Sequence, residues 1–496
     1  MSKVLGKIGS MALLPVLCLL IAQPVHPAGS RAPAPVPGGP VQLSWARSET
    51  SWGVSTDPDL IRAVVERIEQ ATNTRINVIT PPQNGYMERI NILLTSGDIP
   101  DIYMVNDASV NLTTHAVRGY LAPLDQYMNA MPELNFLKDY AVMSNFQIKG
   151  VTYGIPEGPP PTKILWFRED LVRRYGLNVR EVMTTEEFKN ELLKVTQREA
   201  VPFAMLRSIS NFQYFHNAFG GYAGLALDSS GRWYDGFNTP AMRQSVAYLK
   251  ELYDTGVMDR EFITNTTAMI REKTQTGNAV SVLDYTRNYM QFRAQSINFQ
   301  RDTEYLPVYK LLGPNGQSWG NQLDPTNGHG ISAKCANIQK ALEVLAYKVT
   351  TADAILYFGI GVEGLHYTIN NGVITPTPKA LASGYNPSPG GMMTAFFPIS
   401  LSQLPFRWGG GQDEFIPKQS EVLARASSPA ELGVAYVPPS GVSELYDRNV
   451  SSLRSFVEET IGKIILGNVT LERGFSDYEA FWRSINGAAM LTQLNQ

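Results

Sequence analysis

The sequence predicts an α/β fold, because strand-like and helix-like segments alternate near its beginning. The strand-like segments are 41–46 (VQLSWA), 76–80 (INVIT) and 102–105 (IYMV). Helix-like segments lie between them, at 57–71 and 87–94. This β-α-β-α-β order predicts parallel strands joined by right-handed crossovers.

The first helix has a clear start signal and one apolar face. Asp57 is suited to the N-cap and Pro58 to the first helical position. The apolar residues that follow recur at helical spacing and form one stripe: Leu60, Ile61, Val64, Val65, Ile68 and Ala71. We therefore predict a helix over 57–71 with one apolar face.

Polar and aromatic side chains follow two of these strands. Asn106 and Asp107 come directly after the third strand, and Trp52 lies a few residues past the first. Ligands of open α/β sheets bind outside the carboxyl ends of the strands, so all three are candidate binding residues. The alternative remains open that Asn106 only turns the chain and Asp107 caps the next segment.

The first 30 residues have the pattern of an export signal. Lys3 and Lys7 precede an apolar run at 11–22 that is too short to span a bilayer, and small residues follow it. We predict a signal peptide at 1–30 and a Pro/Gly-rich linker at 31–40.

Cys18 offers a second interpretation of this segment. A lipoprotein signal places such a cysteine after a small residue, and Leu17 fits that pattern poorly, so lipidation at Cys18 and cleavage near Ser30 both stay open. After cleavage only Cys335 remains, which excludes an intrachain disulfide. We expect an extracellular or periplasmic protein, with tethering to the outer face of the cytoplasmic membrane as the open alternative.

Composition limits the class of protein. A chain of 496 residues with 44% hydrophobic residues is long enough for two or three domains. Its net charge of -3 argues against a nucleic-acid partner, which normally meets a basic domain.

The segment 150–177, GVTYGIPEGPPPTKILWFREDLVRRYGL, joins two strand-like runs through consecutive prolines. Prolines fix φ and remove hydrogen-bond donors, so the connection is stiff and extended. It is typical of a chain that crosses between two lobes, although an ordinary strand-to-helix link has the same composition.

Four segments, taken in order, resemble the extracellular solute-binding proteins of ABC importers (family 1), especially the oligosaccharide type. They are TSGDIPDIYM (95–104), the crossing segment at 150–177, FNTPAMRQSVAYLKELYDTGVMDREF (237–262) and FGIGVEGLHYTINNGVIT (358–375). The resemblance covers nearly the whole chain after the export signal.

The resemblance implies a two-lobed periplasmic-binding-protein-like α/β fold with a hinge and a ligand cleft between the lobes. The chain would cross after Pro156, near Tyr305 and past Gly372. The implied lobes are 41–160 plus 305–372 for lobe one, and 161–304 plus 373–496 for lobe two.

In this family, sugars lie on aromatic faces and polar planar groups bind their hydroxyls. The lobe-one candidates by position are Trp52, Asn106, Asp107 and Trp319. The lobe-two candidates are Trp166, Arg168, Asn211, Phe212, Tyr214, Tyr285, Asn288 and Trp408. For each aromatic ring except Trp408 the alternative is a place in the core; Trp408 is followed by three glycines, which predict an exposed loop that could carry function. For Arg168 the alternative is a salt bridge to Glu169 or Asp170.

The function implied is the extracytoplasmic substrate-binding component of an ABC importer. Its expected partners are an oligosaccharide or another small polar solute and the membrane permease, and the expected state is a monomer. We expect no cofactor and no required metal, because 228–236 (DSSGRWYDG) has too few carboxylates for a calcium loop.

Three alternatives remain at this level. A secreted glycan-active hydrolase would need two carboxylates about 5 to 9.5 Å apart across a cleft. The sequence has no HExxH or CxxC, and Glu157 stands alone beside the prolines. The same fold could bind a peptide or another polar solute. A purely structural or sensory surface protein is the third alternative.

Overall fold

The computed structural model describes residues 39–52, 56–83, 85–106, 108–139, 141–158, 162–318, 320, 327–383, 404, 406–408, 412–426, 438 and 442–496. Its strands are β1 (Val41–Ala46), β2 (Thr74–Ile79), β3 (Ile102–Val105), β4 (Gln147–Ile148), β5 (Val151–Thr152), β6 (Gly154–Pro156), β7 (Lys163–Arg168), β8 (Val182–Thr184), β9 (Val201–Ala204), β10 (Leu225–Leu227), β11 (Trp233–Asp235), β12 (Ala279–Tyr285), β13 (Tyr305–Val308), β14 (Lys310–Leu312), β15 (Gly328–Ile331), β16 (Tyr367–Asn370), β17 (Val373–Pro376) and β18 (Arg407–Trp408).

The α-helices are α1 (Pro58–Thr72), α2 (Tyr86–Ser96), α3 (Ala108–Val117), α4 (Asp125–Met128), α5 (Glu169–Tyr175), α6 (Thr185–Leu193), α7 (Ile209–Phe219), α8 (Pro240–Asp254), α9 (Thr267–Gln275), α10 (Tyr289–Asn298), α11 (Ile338–Thr350), α12 (Ala352–Ile360), α13 (Pro378–Ala382), α14 (Ile416–Ala426), α15 (Glu444–Ile465), α16 (Leu471–Ser484) and α17 (Gly487–Leu494). Short 3₁₀ helices span Glu49–Trp52, Pro132–Asp139, Ala141–Phe146, Thr286–Asn288 and Gln412–Phe415.

The first sheet has the order β2-β1-β3-β15-β6. β1 pairs in parallel with β2 and β3, as the alternating sequence pattern predicts. β15 is antiparallel to both β3 and β6, with Gly328 opposite Val105 and Pro156. The carboxyl ends of β1, β2, β3 and β6 therefore lie along one edge of the sheet.

Glycines in β15 make this close packing possible. A Cβ atom on Gly328 would lie 2.2 Å from the Phe146 ring, and one on Gly330 would lie 2.4 Å from the Leu121 side chain. Any larger residue would push the strand away from these side chains. Helices α1, α2 and α11 complete the apolar core of this body, called lobe one below.

The predicted start of α1 is confirmed. The Asp57 carboxylate accepts hydrogen bonds from the backbone N–H groups of Asp59 and Leu60, at 2.9 and 3.2 Å, and Pro58 is the first helical residue. Thr239 caps α8 in the same way, ahead of Pro240. These caps satisfy backbone donors that the first helical turn leaves unpaired.

The second sheet has the order β13-β7-β12-β9 and is buried on both faces. Because side chains alternate along a strand, Leu165 and Phe167 of β7 enter one apolar core, while Ile164 and Trp166 enter another on the opposite face. This body, called lobe two below, includes the long helix α15, which packs on α8 and also contacts α3 of lobe one. The predicted α/β fold is thus confirmed, with one main sheet in each lobe.

The lobe boundaries given by the sequence stay a prediction. They assign the segment from Tyr305 to lobe one, whereas β13 pairs with β7 and β14 with β8 of lobe two. Because 305–312 pairs with lobe two, the chain returns to lobe one later than predicted, between Leu312 and Gly328. The predicted signal peptide and almost all of the linker lie outside the described residues, and no helix within the described ranges is long and apolar enough to cross a membrane.

Candidate functional site

Polar groups gather at the carboxyl edge of the first sheet. Asn106 directly follows β3, and its backbone oxygen accepts a hydrogen bond of 2.6 Å from the Asn111 side chain. The Oδ1 atom of Asn106 is buried and has no hydrogen-bond partner among the residues that the structure describes. An unpaired buried acceptor is costly, so this oxygen is suited to a donor that a ligand would bring.

A buried charged cluster lies at the same edge, and sequence reasoning missed most of it. Glu157 follows β6, and its Oε1 atom lies 2.8 Å from Arg47 Nη2, 3.2 Å from Lys348 Nζ and 3.7 Å from His329 Nε2. Arg47 directly follows β1, which is the one sequence signal that could have found it. Lys348 and His329 come from α11 and β15, and no local pattern connects them to Glu157.

Burial and mutual charge set the protonation of this cluster. Burial lowers the pKa of Lys348 to about 8, although the Glu157 carboxylate partly opposes the shift. Burial alone would raise the pKa of Glu157, but Arg47, Lys348 and His329 outweigh it and hold that pKa far below its usual value. Burial also lowers the pKa of His329 well below its usual value, so the ring is neutral. At neutral pH two cations therefore share one carboxylate.

Aromatic rings surround the Arg47 guanidinium. Its central carbon lies 5.6 Å from the ring centroid of Trp45, 5.3 Å from that of Trp52 and 5.1 Å from that of Phe358. Such contacts stabilise a cation by roughly 2 kcal/mol when water is excluded. Trp52, a predicted binding residue, is fully buried here and stacks on Phe358 at 6.2 Å.

The second sheet presents its own polar edge. β12 and β9 are parallel, and Tyr285 at the end of β12 lies opposite Lys163 at the start of β7. Lys163 Nζ donates to Ser210 Oγ and Asn211 Oδ1, both at 2.9 Å, and lies 4.9 Å from the Tyr285 ring centroid. The Arg287 guanidinium lies 4.6 Å from the same centroid. Two predicted residues, Asn211 and Tyr285, are thus brought together by a lysine that the sequence did not single out.

Asn288, another predicted binding residue, is bonded to the end of β12 next to this edge. Its Nδ2 atom donates to the Asp284 carboxylate at 2.8 Å, and Arg271 holds that carboxylate through two contacts of 2.6 and 2.9 Å. The Asn288 side chain is largely buried. Its amide is therefore engaged within lobe two.

Arg168 lies at the far end of β7 and is fully buried. It forms the salt bridge to Asp170, at 2.8 Å, that the sequence left as an alternative. Its guanidinium also donates to the carbonyl oxygens of Thr274, Gln275 and Arg301, at 2.9, 2.8 and 3.0 Å.

Three predicted aromatic residues lie in the cores of lobe two. Trp166 stacks on Tyr289 at 5.8 Å, Phe212 is fully buried, and Tyr214 packs edge-on against Phe215 at 5.5 Å. Trp408 is buried in a small cluster beside β17, edge-on to Phe406 at 5.6 Å.

Two predicted residues, Asp107 and Trp319, fall outside the described part of the chain. The structure therefore gives no position for either side chain.

A groove of about 480 Å³ runs between the lobes. Asn111 of lobe one lines one wall, and lobe two supplies the rest: Arg207, Ile209, Ser451, Arg454, Ser455, Glu458 and Glu459. Glu458 holds the start of α7 in place. Its carboxylate pairs with Arg207 at 3.3 Å and accepts a hydrogen bond from the Ile209 N–H at 3.0 Å. The volume is suited to a small polar ligand, and the lining is mainly polar.

A second groove, of about 560 Å³, lies wholly within lobe two, between β13, α10 and α14. Although it is larger, it does not lie at the carboxyl ends of the parallel strands, where ligands of such sheets bind. The interlobe groove is therefore the stronger candidate site.

Within the described ranges, no group of three or more His, Cys, Asp or Glu side chains could hold a metal ion. The Asp228 carboxylate in the segment 228–236 accepts hydrogen bonds from Ser230 and Arg232 and thereby shapes a turn.

Comparison with known proteins identifies a matching family and two relatives. Residues 63–372 match the family model described as bacterial extracellular solute-binding protein. Lipoprotein LipO of Bacillus subtilis is 22% identical over 91% of this chain and 94% of its own length. The polygalacturonan/rhamnogalacturonan-binding protein YtcQ of Bacillus subtilis is 22% identical over 67% of this chain and 68% of its own.

The fold agrees with a solved structure. The crystal structure of the alginate-binding protein AlgQ2 without calcium ion superposes with a TM-score of 0.71, at 17% identity, over 92% of this chain and 98% of that one. At this identity the likeness concerns the two-lobed fold alone. The family model covers more than half of the sequence. The chain therefore belongs to the bacterial extracellular solute-binding protein family.

Proposed function

We propose that this protein captures an oligosaccharide between its two lobes and delivers it to the permease of an ABC importer. The observation that carries the proposal is that each lobe has a polar sheet edge. Asn106 lies at the edge of one sheet, Lys163 and Tyr285 lie at the edge of the other, and a polar groove runs between the lobes. Relatives named for polygalacturonan and alginate binding make a glycan the first ligand class to test.

The groups at these edges suit a sugar. The unpaired Asn106 Oδ1 would accept a hydroxyl proton, and the part-buried Tyr285 ring would contact the apolar C–H side of a pyranose. Lys163 and Arg287 lie against that ring and would donate to hydroxyl or carboxylate oxygens. We propose that the lobes close over the ligand by a hinge motion.

The proposal includes location and partners. The protein would act as a monomer outside the cytoplasmic membrane, held there by lipidation at Cys18 or released after cleavage near Ser30. It would be a binder and not an enzyme, in line with homologues that are binding proteins.

A ligand panel tests the proposal. Purified protein would be heated in the presence of oligogalacturonate, alginate oligosaccharides, maltooligosaccharides, galacturonic acid and a tripeptide. A ligand at 100 times its Kd stabilises the folded state by about 2.7 kcal/mol, so at least one oligosaccharide should raise the melting temperature, with a one-to-one stoichiometry by calorimetry.

Other outcomes separate the alternatives. Stabilisation by the tripeptide and by no glycan would assign the fold to another solute class. Release of shorter glycans, detected by chromatography after incubation, would identify a hydrolase.

A further inference from the structure

The first connection between the lobes starts at Glu157, which remains part of lobe one. It follows β6 directly, and its backbone N–H donates to the Asn327 carbonyl oxygen at 3.0 Å. This bond extends the pairing of β6 with β15 by one residue. The connection then enters lobe two at Lys163, the first residue of β7.

The Glu157 side chain is held by three other segments of lobe one. Arg47 after β1, His329 in β15 and Lys348 in α11 all lie within 3.7 Å of its Oε1 atom. The carboxylate is 24% exposed, whereas Lys348 is only 9% exposed. Since these segments are far apart in the sequence, one carboxylate ties the start of the connection to the body of the lobe.

Arg47 extends the tie to Trp52. Its Nη2 atom donates to the Ser51 carbonyl oxygen as well as facing Glu157, and its guanidinium lies against the Trp52 ring. The Phe358 ring stacks on Trp52, and Lys348 Nζ lies 4.9 Å from the Phe358 ring centroid. A change at Glu157 must therefore change the surroundings of Trp52.

We propose that Glu157 is a positioning residue for ligand capture. By holding Arg47 and Lys348, it fixes both the lobe-one end of the first connection and the buried Trp52 ring, which packs against Arg47 after β1. This inference rests on the proposed function, since positioning of the connection matters only in a protein that closes on a ligand.

The charges predict a pH-dependent signature. Lys348 faces Glu157, Arg47 and the neutral His329, and Tyr86 lies near Arg47. Glu157 raises the pKa of Lys348 whereas Arg47 lowers it. Replacing the carboxylate with an amide removes the raising contribution, so Lys348 would lose its proton at lower pH than in the wild type.

Fluorine NMR of protein labelled with 5-fluorotryptophan tests the positioning role without any ligand. The chain has 7 tryptophans, and the Trp52 resonance is the one lost in Trp52→Phe. In Glu157→Gln this resonance should move or broaden at neutral pH, and its titration midpoint should fall. The matched control is Glu66→Gln, which changes a half-exposed lobe-one carboxylate and should leave the resonance unchanged.

Two further variants test the proposal if Glu157→Gln does not fold. Glu157→Asp keeps the charge and should keep the midpoint close to that of the wild type. Lys348→Met removes the titrating ammonium and should remove the pH-dependent shift. A Trp52 resonance that is identical in wild type and Glu157→Gln, or a titration that persists in Lys348→Met, would overturn the proposal.

Binding separates this inference from the proposed function. With an oligosaccharide found in the panel, Glu157→Gln should bind at least tenfold more weakly, and Glu66→Gln should match the wild type. If the wild type binds no glycan, the proposed function fails, and the NMR result still decides whether Glu157 positions Trp52. If the Trp52 resonance moves but affinity does not change, Glu157 has no role in capture.

Discussion

Lys163 and Asn211 meet at the carboxyl edge of the second sheet, where the lysine ammonium lies 2.9 Å from the amide oxygen of the asparagine. The contact joins the first residues of β7 to the start of α7. The Asn211 amide nitrogen donates to the Leu206 carbonyl oxygen at 3.2 Å, so both ends of this amide are engaged. Asn211 therefore orients Lys163, and Lys163 faces Tyr285.

Replacing Lys163 with methionine tests this edge. Lys163→Met removes the ammonium beside the Tyr285 ring and leaves the Asn211 oxygen without that donor. We expect glycan affinity to fall at least tenfold, which is about 1.4 kcal/mol. Isothermal titration calorimetry with an oligosaccharide found in the panel would measure it. Lys194→Met, at an exposed ion pair of the same lobe, is the control, and equal affinities for both variants would remove Lys163 from the site.

Arg168 is expected to act on stability and not on ligand binding. Arg168→Met leaves three carbonyl oxygens without a donor in a buried place, so the free energy of unfolding should drop by about 3 kcal/mol in urea denaturation. Arg173→Met, whose side chain is 75% exposed, should change it by less than about 1 kcal/mol. Weak glycan binding by an Arg168→Met protein of normal stability would restore the predicted ligand role.

Variants of Trp408 would show whether its ring stabilises the core or stacks on the ligand. Its ring packs on Phe406, and its backbone N–H donates to the Asp413 carboxylate at 3.0 Å. Trp408→Ala should lower the free energy of unfolding by about 3 kcal/mol, because truncating a buried aromatic ring leaves a cavity. Trp408→Phe should lose less stability and keep glycan affinity within a factor of about 2, a free-energy change well below 1.4 kcal/mol.

The opposite result would support the function given to Trp408 by the sequence. A tenfold loss of affinity in Trp408→Phe, with an unchanged melting temperature, would show that the ring meets the ligand.

Local patterns predict the elements of this fold well. The strands at 41–46 and 102–105 agree with β1 and β3, and the Asp57-Pro58 signal agrees with the start of α1. These features depend on alternation, helical spacing and capping, which are properties of neighbouring residues.

The side chains of the candidate site could be predicted only in part. Position after a strand identifies Asn106, and by the same rule it would have identified Arg47. The cluster around Glu157 joins residues far apart in the chain, which no local pattern reveals. The sequence alone does not tell whether an aromatic residue such as Trp166 lies in a core or in a cleft. Only the packing of β7 against α10 shows that Trp166 lies in a core.

Lys348 gives the fold a pH dependence whose sign follows from its pKa. Burial lowers that pKa from 10.5 in a free side chain to about 8 in the folded protein, so between these values the unfolded chain binds more protons. The contribution of Lys348 to stability is therefore full above about pH 10.5 and is lost as the pH falls through about 8. Compared with Lys348→Met, the wild type should gain stability from pH 7.5 to pH 9.5 in urea denaturation. Lys250→Met, which removes a lysine from an i,i+4 ion pair of lobe two, is the control variant over the same range. If the difference between Lys348→Met and the wild type stays constant over this range, Lys348 is not buried beside Glu157 as the geometry indicates.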